Sequence, residues 1–368
     1  MTLKEDCMFF KGDRPCDPHK EKGVKCNDCT FYQPINFKIL IIKLDAVGDV
    51  LRTTSILKPL KQKFPKSYIE WCTRKNSIEL FKNNPFVDEV MSFEDDATFR
   101  INAEDYELVI NLDTSKLSSA IATTAKSKKN FGFVLNKKGF VEATSDSAQR
   151  WLEMSAFDDV KKANAKSYQQ IMYEILELDL PIQRPMVEIP QSVKNKILKK
   201  DYTQKINSKK LTIGLNIGVG TKWPSKGWSL EKWSELITQL GNKDYNLLVL
   251  GGPEEVNSVN IISKEFNYVI DSGCDNTLLE FAEIVNLCDL VITADTLALH
   301  LATALEKKII ALFGPTSENE IELYGKGIKL SSSEGCKCYY RKYCSEGVSC
   351  MEKITSKMVI EAIDSIIE

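Results

Sequence analysis

The sequence predicts an α/β protein made of two Rossmann-like domains facing a central cleft. Apolar runs of buried-strand type alternate with helix-length segments through most of the chain, the pattern of parallel sheets covered on both faces. That alternation begins twice, at Phe37–Leu44 (FKILIIKL) and at Leu211–Ile217, each time with a glycine-bearing turn after the first strand. The length of 368 residues suits two domains, each with its own core.

The elements follow in order. Residues 1–36 form a Cys-rich, loop-like extension with little periodicity. The first domain, 37–200, opens with the strand Phe37–Leu44, the turn Asp45–Asp49 and an amphipathic helix from about Val50 to Lys63. Tyr68–Cys72, Val87–Met91 and Leu108–Leu112 read as further strands, the last ending at Asp113. Gln191–Lys210, rich in Lys, Asn and Gln, supplies a surface helix and a hinge. The second domain, 201–354, runs through strand Leu211–Ile217, helix Ser229–Leu240, strand Asn246–Leu250, a short strand Tyr268–Ile270 and helix Thr277–Leu287. Strand Leu290–Ala294, helix Leu297–Leu305 and strand Lys308–Phe313 complete it, and Gly314-Pro315-Thr316 reads as the opening of another helix. Apolar residues at helical spacing make 355–368 a closing helix, which could cross back to the first domain.

Composition narrows the function. Hydrophobic residues make up 43% and charged residues 27%, as in an ordinary globular protein. A net charge of −2 argues against a nucleic-acid partner. No apolar run approaches the roughly 18 to 20 residues of a membrane span, and the N-terminus lacks a signal-peptide core. A cytoplasmic protein, at most peripheral to the inner face of the membrane, is expected.

Ligands of open parallel sheets bind outside the carboxyl ends of the strands, so the turns there are the candidate site. Asp49 follows the first strand of the first domain; it reads as a helix N-cap or as a general base. Gly218, Gly220, Thr221 and Lys222 follow the first strand of the second domain, where glycines let the backbone approach an anion; Lys222 read alone is equally a solvated surface lysine. Trp223, Trp228 and Trp233 read as packing for this turn and helix. Glu255 closes Gly251-Gly252-Pro253-Glu254-Glu255, a place for a ribose-binding acid or a plain helix-terminal acid. Asp295, Thr296, Leu297 and Gly314 lie at two later strand ends, where an acid, a hydroxyl and exposed N–H groups suit a phosphate-bearing, hydroxyl-rich ligand. His300, one of two histidines, fits a structural role on its apolar helix as well as a ligand contact.

LIIKLDAVGDV, NIGVGTKWPSKGWSLEKWSEL, LVLGGPEE and ADTLALHLATALEKKIIALFGPT, in this order, resemble glycosyltransferase family 9, the ADP-heptose:lipopolysaccharide heptosyltransferases. The resemblance spans about residues 38–355. It implies a GT-B fold, with acceptor bound by the first domain and a nucleotide-sugar donor by the second, and inverting transfer without a catalytic metal in a bacterial glycan pathway. On that resemblance Asp49 matches the catalytic base, Lys222 the lysine on the donor diphosphate with Thr221 beside it, and Glu255 the ribose ligand. Asp295 matches the acid near the donor sugar, Thr296 the hydroxyl near the phosphates and His300 the helix histidine. Leu297 departs from the glycine usual after Asp-Thr. The implied acceptor is a lipopolysaccharide-type glycolipid or glycan. A protein acceptor is an alternative, and a decayed, metal-stapled binding module is another.

Eleven cysteines are many for a reducing compartment, where clusters point to metal or redox chemistry. Cys26 and Cys29 form a ligand-like C-x2-C pair, and with Cys7 and Cys16 they give the four thiolates of a closed zinc site, with His19 a substitute ligand. Cys336, Cys338, Cys344 and Cys350 form a second group. Thiolates suit zinc and iron alike, and free thiols are the alternative for both groups.

Overall fold

The computed structural model describes residues 2–367. Twelve strands among them form two six-stranded sheets of the same strand order. β1 (Lys38–Ile42), β2 (Tyr68–Thr73), β3 (Glu89–Ser92), β4 (Asp105–Asn111), β5 (Lys126–Leu135) and β6 (Val141–Ala143) pair in the order β3-β2-β1-β4-β5-β6. All these pairings are parallel except the hairpin of β5 and β6. β7 (Leu211–Asn216), β8 (Tyr245–Leu250), β9 (Val269–Asp271), β10 (Leu290–Ala294), β11 (Lys308–Phe313) and β12 (Gly327–Ser331) form the second sheet, β12-β11-β10-β7-β8-β9, entirely parallel.

Both faces of each sheet are buried, which is why the strands read as continuous apolar runs. Ile39 and Ile41 face one apolar cluster, while Leu40 and Ile42 face another. In the second sheet Ile309, Ala311 and Phe313 face inward and Ile310 and Leu312 outward. Each such fully buried side chain stabilises the fold by about 1.5–3 kcal/mol. The inward cluster is continuous across the two units, running from Ile39, Val50 and Trp71 to Leu279, Leu299 and Phe313.

The order of each sheet reverses beside its first strand, between β1 and β4 and between β7 and β10. In open α/β sheets that switch point is where ligands lodge. Asp49, the turn 218–222 and Asp295-Thr296 all follow strands that border these two points.

Several expectations needed correction. The segment after Gly314 is not a helix: residues 316–326 are turns and loop leading into β12, an edge strand of half-buried residues that carries no apolar run. The closing helix, Ser356–Ile367, does not cross to the first unit. Val359, Ala362 and Ile363 bury against the second, on helix Leu230–Leu240 and strands β11 and β12. Helix Gln191–Leu198, in the expected hinge region, packs on helix Leu278–Asn286 of the second unit. Preceding it, residues 179–190 connect the units and bond to both: Met186 N–H donates to Thr54 Oγ1 at 2.8 Å, and Tyr324 O–H to Gln183 O at 2.8 Å.

Candidate active site

The helix Val47–Thr53 starts directly after β1, and its N-terminus points across the cleft at helix Leu297–Ala304 of the second unit. Asp49 sits in its first turn. One carboxylate oxygen accepts the Ala46 N–H at 3.3 Å, and the other pairs with Arg52 at 2.8 Å. Asp49 is therefore not the N-cap, which is Ala46, but the third residue of the helix, reaching back to the N-cap N–H; 36% of its side chain stays open to the cleft. Burial by itself would raise the pKa of Asp49, but Arg52, Lys43 and His300 outweigh it and hold the group well below the carboxylate range. Lys43 is in turn fixed by an ion pair with Asp113, at the end of β4.

Asp295 leaves β10 opposite. Lys226 reaches its carboxylate at 3.2 Å and its carbonyl at 3.1 Å, while His300 Nε2 lies 3.9 Å away. Burial works against the Asp295 charge, yet Lys226, His300 and Arg52 leave its pKa lowered overall. Burial, with Arg52 nearby, pushes His300 down to about 4, so the ring is neutral at neutral pH. Thr296 stands at the N-cap position but makes no capping bond; its hydroxyl meets Asn216 Nδ2 at 3.2 Å and Thr293 Oγ1 at 3.1 Å instead. Leu297 is the first helical residue and half-buried.

The two glycine turns of the second unit are tied together by acids. Glu255 accepts the Gly220 N–H at 3.2 Å through one oxygen and the Gly252 N–H at 2.9 Å through the other. Glu254 accepts the Thr221 N–H at 2.7 Å and the Thr221 hydroxyl at 3.1 Å. Gly218 must be glycine for this arrangement, because a Cβ there would lie 2.5 Å from Glu255 Cδ. Trp228 and Trp233 pack edge-to-face at 5.2 Å beneath the turn, as the sequence suggested, with Trp228 N–H donating to Ile354 O at 3.0 Å.

Sequence reasoning missed Arg52 and Lys226. Arg52 carried a usable signal, three residues after Asp49 on one helix face. Lys226 carried none, since its partner is distant in sequence. Lys222 itself lies exposed on the turn, so Lys226 rather than Lys222 meets Asp295.

The cysteines fall into two situations. Cys7, Cys16, Cys26 and Cys29 are half-buried free thiols, and His19 Nδ1 is engaged with Val24 O at 2.9 Å. Among the described residues no three metal-ligating side chains are gathered into a metal-holding group, at either end of the chain. The C-terminal thiols, all free, do approach in pairs: Cys338 and Cys344 lie 3.2 Å apart, and Cys350 neighbours Cys336. Their loop abuts the site, since a Cβ at Gly314 would lie 2.6 Å from Met351 Sδ and 2.9 Å from Cys350 Sγ.

Comparison with known proteins bears on the fold and the family. Lipopolysaccharide heptosyltransferase 2 of Salmonella typhimurium is 25% identical over 303 residues, 76% of this chain and 83% of that protein. A glycosyl transferase family 9 structure from Veillonella parvula superposes with a TM-score of 0.74 at 20% identity, covering 91% of this chain and 98% of the other. An E. coli heptosyltransferase solved with ADP-2-deoxy-2-fluoro heptose gives a TM-score of 0.61 at 17% identity, covering 89% and 99%. These likenesses establish the two-domain GT-B fold. Residues 98–349, more than half of the chain, match the family described as glycosyltransferase family 9 (heptosyltransferase). The chain belongs to that family and is a glycosyltransferase.

Proposed function

We propose that the protein transfers heptose from ADP-heptose to a lipopolysaccharide-type glycan, inverting the anomeric centre. One observation carries the reading: the open carboxylate of Asp49, in the first unit, faces the Asp295–His300 corner of the second across one cleft. Support for the donor comes from the relatives, which include lipopolysaccharide heptosyltransferases and the structure with the ADP-heptose analogue.

In this mechanism Asp49 takes the proton of an acceptor hydroxyl. The oxygen attacks the anomeric carbon from the face opposite the nucleotide, and the bond from that carbon to the phosphate oxygen breaks, its electron pair leaving with ADP. Negative charge grows on the departing diphosphate. Lys222, Thr296 and the N–H groups at the start of helix Leu297–Ala304 are suited to receive it. Glu255 keeps lone pairs free for ribose hydroxyls after its two backbone bonds. Asp295, held ionised by Lys226, faces the sugar.

The glycan acceptor and a cytoplasmic, at most membrane-peripheral, site of action belong to the same proposal. Among the described residues no helix is long and apolar enough to cross a membrane. Incubation with ADP-heptose and a heptose-deficient lipopolysaccharide core tests the reading: ADP release coupled to mass gain of the acceptor is expected. Binding and turnover of a different nucleotide sugar alone would overturn the donor.

A structural zinc or iron ion at Cys336, Cys338, Cys344 and Cys350 is a separate proposal, which rests on the approach of Cys338 to Cys344 and of Cys336 to Cys350 and requires the two pairs to draw together, since no three of these thiols are gathered among the described residues. No catalytic step is assigned to it. Metal analysis of anaerobically purified protein is expected to find one equivalent, and a metal-free protein of full activity and stability would refute it.

A further inference from the structure

Tyr340 lies in the Cys-rich loop that follows β12, with its backbone at a φ of 52°. That left-handed conformation is costly for a side chain of its size and persists only where the surroundings hold the residue in place. Three elements do so here. The Tyr340 N–H donates to Pro315 O at 2.7 Å, and its hydroxyl accepts the Ser317 N–H at 3.4 Å, both just past the end of β11. The Trp223 ring meets the Tyr340 ring edge-to-face, with centroids 6.2 Å apart. From the first unit, Lys161 of helix Asp158–Lys162 sets its Nζ 3.9 Å from the centroid of the same ring.

Two of these partners bear on the proposed reaction. Trp223 directly follows Lys222, the lysine suited to the departing diphosphate, and Lys226, three residues on, pairs with Asp295. The same loop grips the chain between them: Ser225 Oγ donates to Arg341 O at 2.6 Å, and Ser225 N–H to Lys342 O at 3.3 Å. Lys161 belongs to the opposite unit. Its contact with Tyr340 has neighbours that also span the units: Lys162 Nζ lies 4.8 Å from the Tyr339 centroid, and Asn319 Nδ2 donates to Asn164 O at 2.9 Å. At the Tyr340 ring, then, the donor turn, the end of β11 and the acceptor unit meet.

We propose that Tyr340 is a positioning residue for the transfer: its ring fixes the turn 222–226 for the nucleotide and, through Lys161, ties that turn to the acceptor unit. It acts on the donor through Trp223 and Lys222 rather than by touching it. The ring is half-buried and belongs to none of the apolar clusters, so its loss loosens the turn rather than the fold. This rests on the donor reading of the cleft given above.

Calorimetry with ADP and kinetics with ADP-heptose, both on the full-length protein, test it. Tyr340→Leu weakens ADP binding by about fivefold, the worth of an aromatic pair, with little change in melting temperature. Tyr340→Phe keeps the ring and restores the wild-type affinity. Lys161→Met leaves ADP affinity unchanged and lowers kcat/KM by about threefold, the worth of a cation–π contact. That loss shrinks in the Tyr340→Leu background, where no ring is left to meet the cation. Should Tyr340→Leu not fold, Trp223→Leu removes the same ring pair from the other side and is expected to lose the same ADP affinity. An unchanged ADP affinity in either folded leucine variant would overturn the proposal, as would a Tyr340→Phe variant no tighter than Tyr340→Leu. A Lys161→Met loss of equal size in both backgrounds would overturn the tie between the units. All these failures leave the donor reading standing, whereas a wild-type protein that binds no ADP would overturn that reading and the positioning role together.

Discussion

Gly48 of the first unit and His300 of the second are packed so closely that a Cβ on Gly48 would lie 2.6 Å from His300 Cδ2. The missing side chain lets the N-terminus of the Asp49 helix press directly onto the helix that follows Asp295. Gly48→Ala is expected to push the units apart. It should destabilise by about 1–3 kcal/mol, as overpacking does, and reduce kcat/KM more than nucleotide affinity. Paired melting curves and kinetics check this, and adding His300→Ala should recover part of the lost stability.

Asp49→Asn should abolish transfer while leaving ADP affinity nearly intact, because the change removes the base and keeps the shape. Near-normal turnover in the purified variant would end the assignment.

The same carboxylate has a pH signature. Positive neighbours hold its pKa down, so the acid limb of the kcat/KM profile should lie below the ordinary aspartate value of about 3.9. Arg52→Gln removes the nearest positive charge, which destabilises the carboxylate, so the limb should move upward in pH. A limb that stays in place would show that Arg52 does not set the charge of Asp49.

His300 links acidity to stability. Its pKa falls from 6.5 to about 4 on burial, so between those values the unfolded chain binds a proton that the folded chain refuses. Its contribution is fully present above pH 6.5 and is lost as the pH falls toward 4, by about 3 kcal/mol in total. Urea unfolding at pH 7 and pH 5 should show a smaller acid loss in His300→Gln than in the wild type.

Gly218→Ala should displace the Glu255 carboxylate, whose Cδ lies 2.5 Å from the added Cβ position. The bonds to Gly220 and Gly252 N–H would be lost, and ADP affinity should fall roughly tenfold. Calorimetry with ADP measures it. An unchanged affinity would mean that the turn does not depend on that acid.

Some of this was legible in the sequence and some was not, for physical reasons. β10 and β11 could be bounded to the residue because both their faces are buried, giving continuous apolar runs closed by polar turns. The placement of Asp49, Asp295 and Thr296 at the cleft was legible because strand ends at a switch point are where a parallel sheet exposes its turns. β12 was missed because its residues are all half-buried and alternate no signal. The destination of the last helix was missed for another reason: Val359 and Ile363 show that a face is apolar, but not which sheet it covers. Contacts between residues far apart in the chain, such as Lys226 with Asp295 and the Tyr168 N–H with Glu320 O, leave no trace in local pattern.

The acids that tie Gly220, Thr221 and Gly252 have a thermodynamic consequence. With Glu254 and Glu255 bonded to these backbone N–H groups, the glycine turn already has a defined shape before a donor arrives. Its conformational entropy is lost during folding rather than during association, so a donor bound at this turn, as proposed, would meet a preorganised cradle. Loosening either acid would leave the same atoms in the turn, yet each binding event would then have to order them anew.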